Sequence, residues 1–284
     1  MSLAGKTLFI SGASRGIGLA IAKRAAQDGA NIVVAAKTAE PHAHLPGTIF
    51  TAAEEIEQAG GKALPLVLDI RDEAAVEAAM AKAAQHFGGI DILINNASAI
   101  NKTPVEETEP KRYDLMHDIN ARGTFFASKA AIPYLRKAAN PHVLTMSPPL
   151  NLDPEWFAPH VAYTMSKYAM SMTVLGMAAH FKNEGIAFNA LWPRYGIATA
   201  AIEFAAADAE QLRHCRTPDI MSDAAYEILT RPSRECTGNF FIDDTLLYEA
   251  GERDFGKYRI DPSVPLRVGM YIPDDNVPPP GADV

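Results

Sequence analysis

The chain has 284 residues, with 26 Lys and Arg against 34 Asp and Glu, and a formal net charge of −8. Hydrophobic residues make up 48% and charged residues 21%, the balance of a globular protein. The acidic excess argues against broad nucleic-acid binding, which draws on Lys and Arg. Two cysteines cannot build a disulfide framework, and no run approaches the roughly 20 apolar residues of a spanning helix.

In chain order, residues 7–11 (TLFIS) read as a first strand. A glycine-rich turn follows and opens an amphipathic segment at 16–28. Residues 31–36 (NIVVAA) read as a second strand. An insertion at 38–51 then precedes a helix at 51–59. Strands at 63–68, 91–95, 142–147, 186–191 and 239–242 alternate with helical patterns at 73–86, 111–137, 157–184 and 219–230. The strands are short and apolar at consecutive positions, as strands buried on both faces are. Strand–helix alternation implies an α/β protein, a parallel sheet with helices on both sides. Residues 148–159 (PPLNLDPEWFAP) form a stiff Pro-rich loop, in which Leu150, Leu152, Trp156 and Phe157 are candidate pocket or lid residues. Residues 244–284 read as an irregular extension, with disorder expected over the last ten.

Two patterns carry chemistry. In Ser11-Gly-Ala-Ser-Arg-Gly-Ile-Gly18, the glycines let backbone approach a pyrophosphate, and the following helix offers it free N–H groups and a positive dipole end. Tyr163 and Lys167 stand four apart and share one helix face. A free phenol has a pKa near 10, and a neighbouring ammonium lowers it toward a working acid–base range.

Gly-x3-Gly-x-Gly (12–18), Asn95-Asn-Ala-Ser98 and Tyr163-Thr-Met-Ser-Lys167 occur in an order that resembles the short-chain dehydrogenase/reductase family. The resemblance spans about residues 5–243. It implies a single Rossmann-like, doubly wound domain with seven parallel strands. It also implies hydride transfer between a nicotinamide cofactor and a small carbonyl or alcohol substrate. Tyr163 would be the general acid/base, and Lys167 would tune it and hold the nicotinamide ribose. Ser147 would bond the substrate oxygen, and Asn120 would hold a helix distortion and a proton-relaying water. Gly12, Ser14, Arg15, Gly16, Ile17 and Gly18 would cradle the cofactor, with Asn96, Ala97, Pro193 and Thr199 lining it and Asp69 bonding its adenine. A homodimer or homotetramer is implied, built partly from the helices at 111–137 and 157–184.

At the end of the second strand, an acid would select NAD by binding the ribose 2′-OH. This chain has Lys37 there and Arg15 in the loop, two cations suited to a 2′-phosphate, so NADP is expected over NAD. Two departures from the family pattern stand out. Ser147 precedes Tyr163 by 16 residues, a few more than usual, and Arg194 follows Pro193 where the family has glycine. Arg194 is expected to point toward cofactor phosphate, substrate or the tail. These departures leave one rival, a nicotinamide-binding sensor or scaffold without catalysis. The histidines, including His42 and His44, form no convincing metal constellation, and no metal is expected. No leader, no further domain after residue 243 and a cytoplasmic location are expected.

Overall fold

The computed structural model describes residues 1–41, 46–200 and 209–283. Its framework is one seven-stranded parallel sheet, in the order β3-β2-β1-β4-β5-β6-β7. The strands are β1 (Thr7–Ser11), β2 (Asn31–Ala36), β3 (Lys62–Val67), β4 (Ile92–Asn95), β5 (His142–Thr145), β6 (Ala187–Trp192) and β7 (Phe240–Ile242). β1 pairs with β2 on one side and β4 on the other, so successive crossovers leave in opposite directions and open a crevice at its carboxyl end.

The period-two alternation of each strand divides the core into two layers. Leu8 and Ile10 of β1, with Ile32 and Val34 of β2, face one side. There they pack on α1 (Gly16–Ala26), α2 (Ile49–Gln58), α7 (Asp219–Leu229) and α8 (Asp243–Glu249). Phe9 and Val33 face the other side, against α3 (Glu73–Phe87), α5 (Gly123–Leu135) and α6 (Val161–Phe181). Local chemistry sets the helix ends. Thr48 caps α2 with a reciprocal bond to Thr51, and Asp72 accepts from the Ala75 N–H at the start of α3.

Three regions differ from the sequence reading. The helix expected at 111–137 is broken into α4 (Pro110–Met116), a π-helical stretch His117–Arg122 and α5. Part of the insertion at 38–51 is the first turn of α2, which begins at Ile49; His42 and His44 lie outside the described residues. The extension from 244 is not irregular at its start, because α8 continues directly from β7. Within the stretch where disorder is expected, Ala282 is fully buried against the core.

Candidate active site

The carboxyl ends of β1, β2, β4 and β6 border a single cleft of about 700 Å³. At one end the glycine-rich turn meets the start of α1. Gly12 takes a φ of +70°, and a Cβ there would lie 2.9 Å from the Ala97 Cα. A Cβ on Gly18 would stand 2.6 Å from Asn96 Nδ2 and 2.8 Å from the Gly12 carbonyl. Only glycine fits either position without moving backbone. Asn96 fixes the turn by donating from Nδ2 to the carbonyls of Ser11 (3.1 Å) and Gly12 (3.0 Å). No side chain caps α1, so its first N–H groups face the cleft without a competing acceptor. This uncapped helix start, with a cradle that a Cβ would fill, fits the pyrophosphate of a dinucleotide.

Gly12, Ser14, Arg15, Gly16 and Ile17 line this end, with Asn96 and Ala97 opposite; Gly18 sits behind the wall as a packing glycine. Arg15 donates from Nε to the Pro46 carbonyl at 2.7 Å and from Nη2 to the Gly47 carbonyl at 2.9 Å, which ties the insertion across the loop. Lys37 pairs with Asp69 at 3.2 Å. The Arg71 guanidinium, and Lys37 beside it, hold the Asp69 carboxyl well below the usual carboxylate range. Asp69 is therefore the partner of two cations, a role the sequence reading did not give it.

At the other end, Tyr163 and Lys167 both line the cleft, one turn apart on α6. Lys167 donates from Nζ to the Met146 carbonyl at 2.7 Å, next to Ser147. Burial pushes the Lys167 ammonium down to about 7. It raises the Tyr163 phenol well above the ordinary range, with a further push from Tyr271. The expected lowering of Tyr163 by Lys167 does not emerge: burial, and then Tyr271, set the direction of its shift. Pro193 and Thr199 complete the wall. Ser147 and Asn120 are fully buried behind it. The Ser147 hydroxyl has no hydrogen-bond partner among the described residues. Asn120 accepts from the Ala99 N–H at 2.8 Å and donates to the Ser166 hydroxyl at 2.9 Å. Its place in the π-helical stretch agrees with the expected distortion.

The tail completes this end, where the sequence reading expected it to shape the site without naming its residues. Val268 bridges Tyr195, and Trp192 donates from Nε1 to the Met270 carbonyl at 2.8 Å. Tyr271 is fully buried at a φ of +67°, a strained conformation for a bulky residue. Rings of Trp156, Tyr168 and Trp192 surround it at 5.4–5.8 Å, and its hydroxyl lies 2.9 Å from that of Thr164. Leu150, Trp156 and Phe157 pack on this aromatic cluster and do not line the cleft; Leu152 is exposed.

Arg194 points to the tail, not to cofactor or substrate. Its Nε bonds Asp244 at 2.8 Å, and its other nitrogens reach Thr245 and Asn276. Arg216 joins the cluster at 3.4 Å from Asp244 and donates to the Ala282 carbonyl. Burial and the adjacent Asp244 raise the Asp243 pKa.

A doubly wound parallel sheet with a glycine cradle, an open helix start and a Tyr/Lys pair defines a dinucleotide-binding protein of the dehydrogenase type. Residues 6–209 match the short chain dehydrogenase family, and the chain belongs to it. It is 57% identical over 270 residues to hydroxysteroid dehydrogenase-like protein 2 of Xenopus tropicalis, and equally to that of Homo sapiens. Those alignments cover 95% of this chain and 64% of each relative, so the chain spans less than two thirds of their length. A short chain dehydrogenase from Mycobacterium thermoresistibile superposes with a TM-score of 0.92 at 51% identity, over 99% of both chains. A short chain dehydrogenase from Mycobacterium paratuberculosis bound to NAD shares the fold at 21% identity, with a TM-score of 0.72 over 85% of this chain and 97% of its own.

Proposed function

We propose that the protein is an NADP-dependent oxidoreductase that interconverts a carbonyl and an alcohol on a largely apolar substrate. The observation that carries this reading is that Tyr163 and Lys167 line the same cleft as the glycine cradle. A bound nicotinamide would exchange the hydride at the reacting carbon. The α1 start and residues 12–17 would hold its pyrophosphate, and Lys167 its ribose. Tyr163, kept protonated by burial, donates its proton to the oxygen as negative charge develops there; an alkoxide is a strong enough base to take it. The same burial excludes water from the proton-transfer site. Ser147, with its free hydroxyl, is the proposed second donor to that oxygen, and Asn120 positions α6 through Ser166.

NADP is favoured over NAD by Arg15, because carbonyl acceptors orient its guanidinium without cancelling its charge. The Lys37–Asp69 pair favours NAD as the runner-up, since it neutralises the second cation. No helix among the described residues is long and apolar enough to cross a membrane. Both cysteines are free and buried, as suits a reducing compartment, and the cytoplasm is the proposed location. A homodimer or homotetramer is supported by Phe125 on α5 and by Met165, Met172 and Leu175 on α6, all exposed. Sedimentation at micromolar concentration should then give no monomer peak.

The test is a panel of aldehydes and ketones with NADPH. Turnover that disappears in Tyr163→Phe while NADPH still binds is the expected result. Equal turnover in that variant, or none in the parent protein, would contradict the reading.

A further inference from the structure

The cleft holds five basic side chains among its described lining residues, and three are engaged. Arg15 binds two carbonyls, Lys37 pairs with Asp69, and Lys167 donates to the Met146 carbonyl. Lys102 and Arg267 are the other two. Neither has an ion pair or a side-chain hydrogen bond among the described residues. The single acid on the described lining, Asp69, is committed to Lys37 and Arg71.

These two cations come from separate parts of the chain. Lys102 stands on the loop between β4 and α4. Arg267 stands on the tail, where its backbone is fixed on both sides: its N–H donates to the His214 carbonyl at 3.0 Å, and its carbonyl accepts from Gly196 at 3.2 Å. They are close enough to oppose each other. Desolvation in the cleft, and then the Arg267 guanidinium, lower the Lys102 pKa. Burial, and then Lys102, disfavour protonation of His160, whose ring centroid lies 6.0 Å from that of Tyr163. On the tail side, three residues after Arg267, the Met270 carbonyl accepts from Trp192, whose ring centroid lies 5.2 Å from Lys167 Nζ. The pair therefore belongs to the reacting end and not to the Asp69 end. Two like charges converging on one cleft cost stability unless an anion sits between them. Beside them, Ile100, Val268 and Met270 supply apolar wall.

We propose that the substrate carries an anionic group, a carboxylate or a phosphate, and that Lys102 and Arg267 bind it while the apolar part lies along the tail wall. The assignment rests on the oxidoreductase reading for its reaction but not for its binding. The tail then does more than close the fold: Arg267 makes it a determinant of specificity.

Calorimetric titration of the NADPH-saturated protein with decanoate, decanoyl-coenzyme A and decanol reads the subsite without turnover, because none of the three carries an aldehyde or ketone for NADPH to reduce. Reduction of 10-oxodecanoate against its methyl ester reads it in catalysis. The better anion should bind about tenfold more tightly than decanol, as expected for charge-assisted hydrogen bonds, with a similar ratio in kcat/KM. Tighter binding of decanoate points to a carboxylate, and tighter binding of the thioester to phosphate. The Lys102→Gln/Arg267→Gln double variant should lose the preference and retain NADPH affinity. Equal affinity of the parent protein for decanol and both anions overturns the proposal. So does a double variant that keeps the preference, or one that loses NADPH affinity, because the cations would then serve the cofactor. Anion preference in binding without turnover of any carbonyl supports the subsite and overturns the oxidoreductase reading alone.

Discussion

The two ends of the cleft are built by different physics. At the glycine end, contacts are made by backbone, and the charges are half-exposed: the Lys37 and Asp69 side chains are 60% and 28% accessible. Behind the reacting end, buried charges anchor the tail: Arg194 and Asp244 are 2% and 0% accessible. Surface ion pairs contribute little, whereas breaking a buried pair strands an uncompensated charge. The glycine end can therefore be adjusted residue by residue. The reacting end stands or falls with the tail.

The largest expected effect sits in the reacting end. Tyr163→Phe removes the proton donor and should lower kcat by about 10²–10⁴-fold, the range for general acid–base catalysis, in steady-state assays. Cofactor affinity, set at the other end, should stay within about twofold by fluorescence titration.

Next is Arg194→Met. It leaves Asp244 with one ion-pair partner, Arg216 at 3.4 Å, and cuts the Arg194 bonds to Asn276 and Thr245. Unfolding should cost about 3–5 kcal/mol less, and limited proteolysis should open the tail first. A change below about 1 kcal/mol by denaturant titration would erase the contrast between the ends.

Lys167 gives the contrast a pH signature. Its folded pKa is about 7 against 10.5 for the free group, so between these values the unfolded chain binds more protons. Its contribution to stability is greatest above about 10.5 and is lost as pH falls toward 7. The slope is at most about 1.4 kcal/mol per pH unit. Lys167→Met should remove that slope in denaturant titrations across this range. Asp69, held below its free value, should give a slope of the same sign only in acid, where stability falls as its carboxylate protonates.

The smallest effect belongs to the glycine end. Arg15→Ala should reduce the preference for NADPH over NADH by about tenfold, or 1.4 kcal/mol, and Lys37→Ala by less, because Asp69 already neutralises Lys37. Paired Kd measurements with the two cofactors check the order.

The same contrast explains what could be read from the sequence. Strands 7–11 and 31–36 match β1 and β2 to the residue, because continuous apolar runs bounded by glycine and charge are a local signal. The glycine cradle was legible for the same reason. Asn120 and its helix distortion came through family resemblance, but periodicity ran smoothly across 111–137 and hid the π-helical break. The tail was expected to shape the active-site end and was one target offered for Arg194, but its contacts were illegible because its partners are distant. Asp243 and Asp244 look like solvated acids until Arg194 and Arg216 meet them from 50 and 28 residues away in the Asp244 contacts. Tyr271 reaches Thr164 across 107 residues. Nothing in Gly269-Met-Tyr-Ile272 announces such contacts.

Deuteride transfer tests the central claim most directly. The protein is incubated with NADPH deuterated at nicotinamide C4 and a carbonyl panel, and the alcohols are weighed by mass spectrometry. The account predicts deuterium on the carbinol carbon with the parent protein and labelling about 10²–10⁴-fold slower with Tyr163→Phe. NADPH binding without deuterium in any product would contradict it, and would leave a nicotinamide-binding protein that does no redox chemistry.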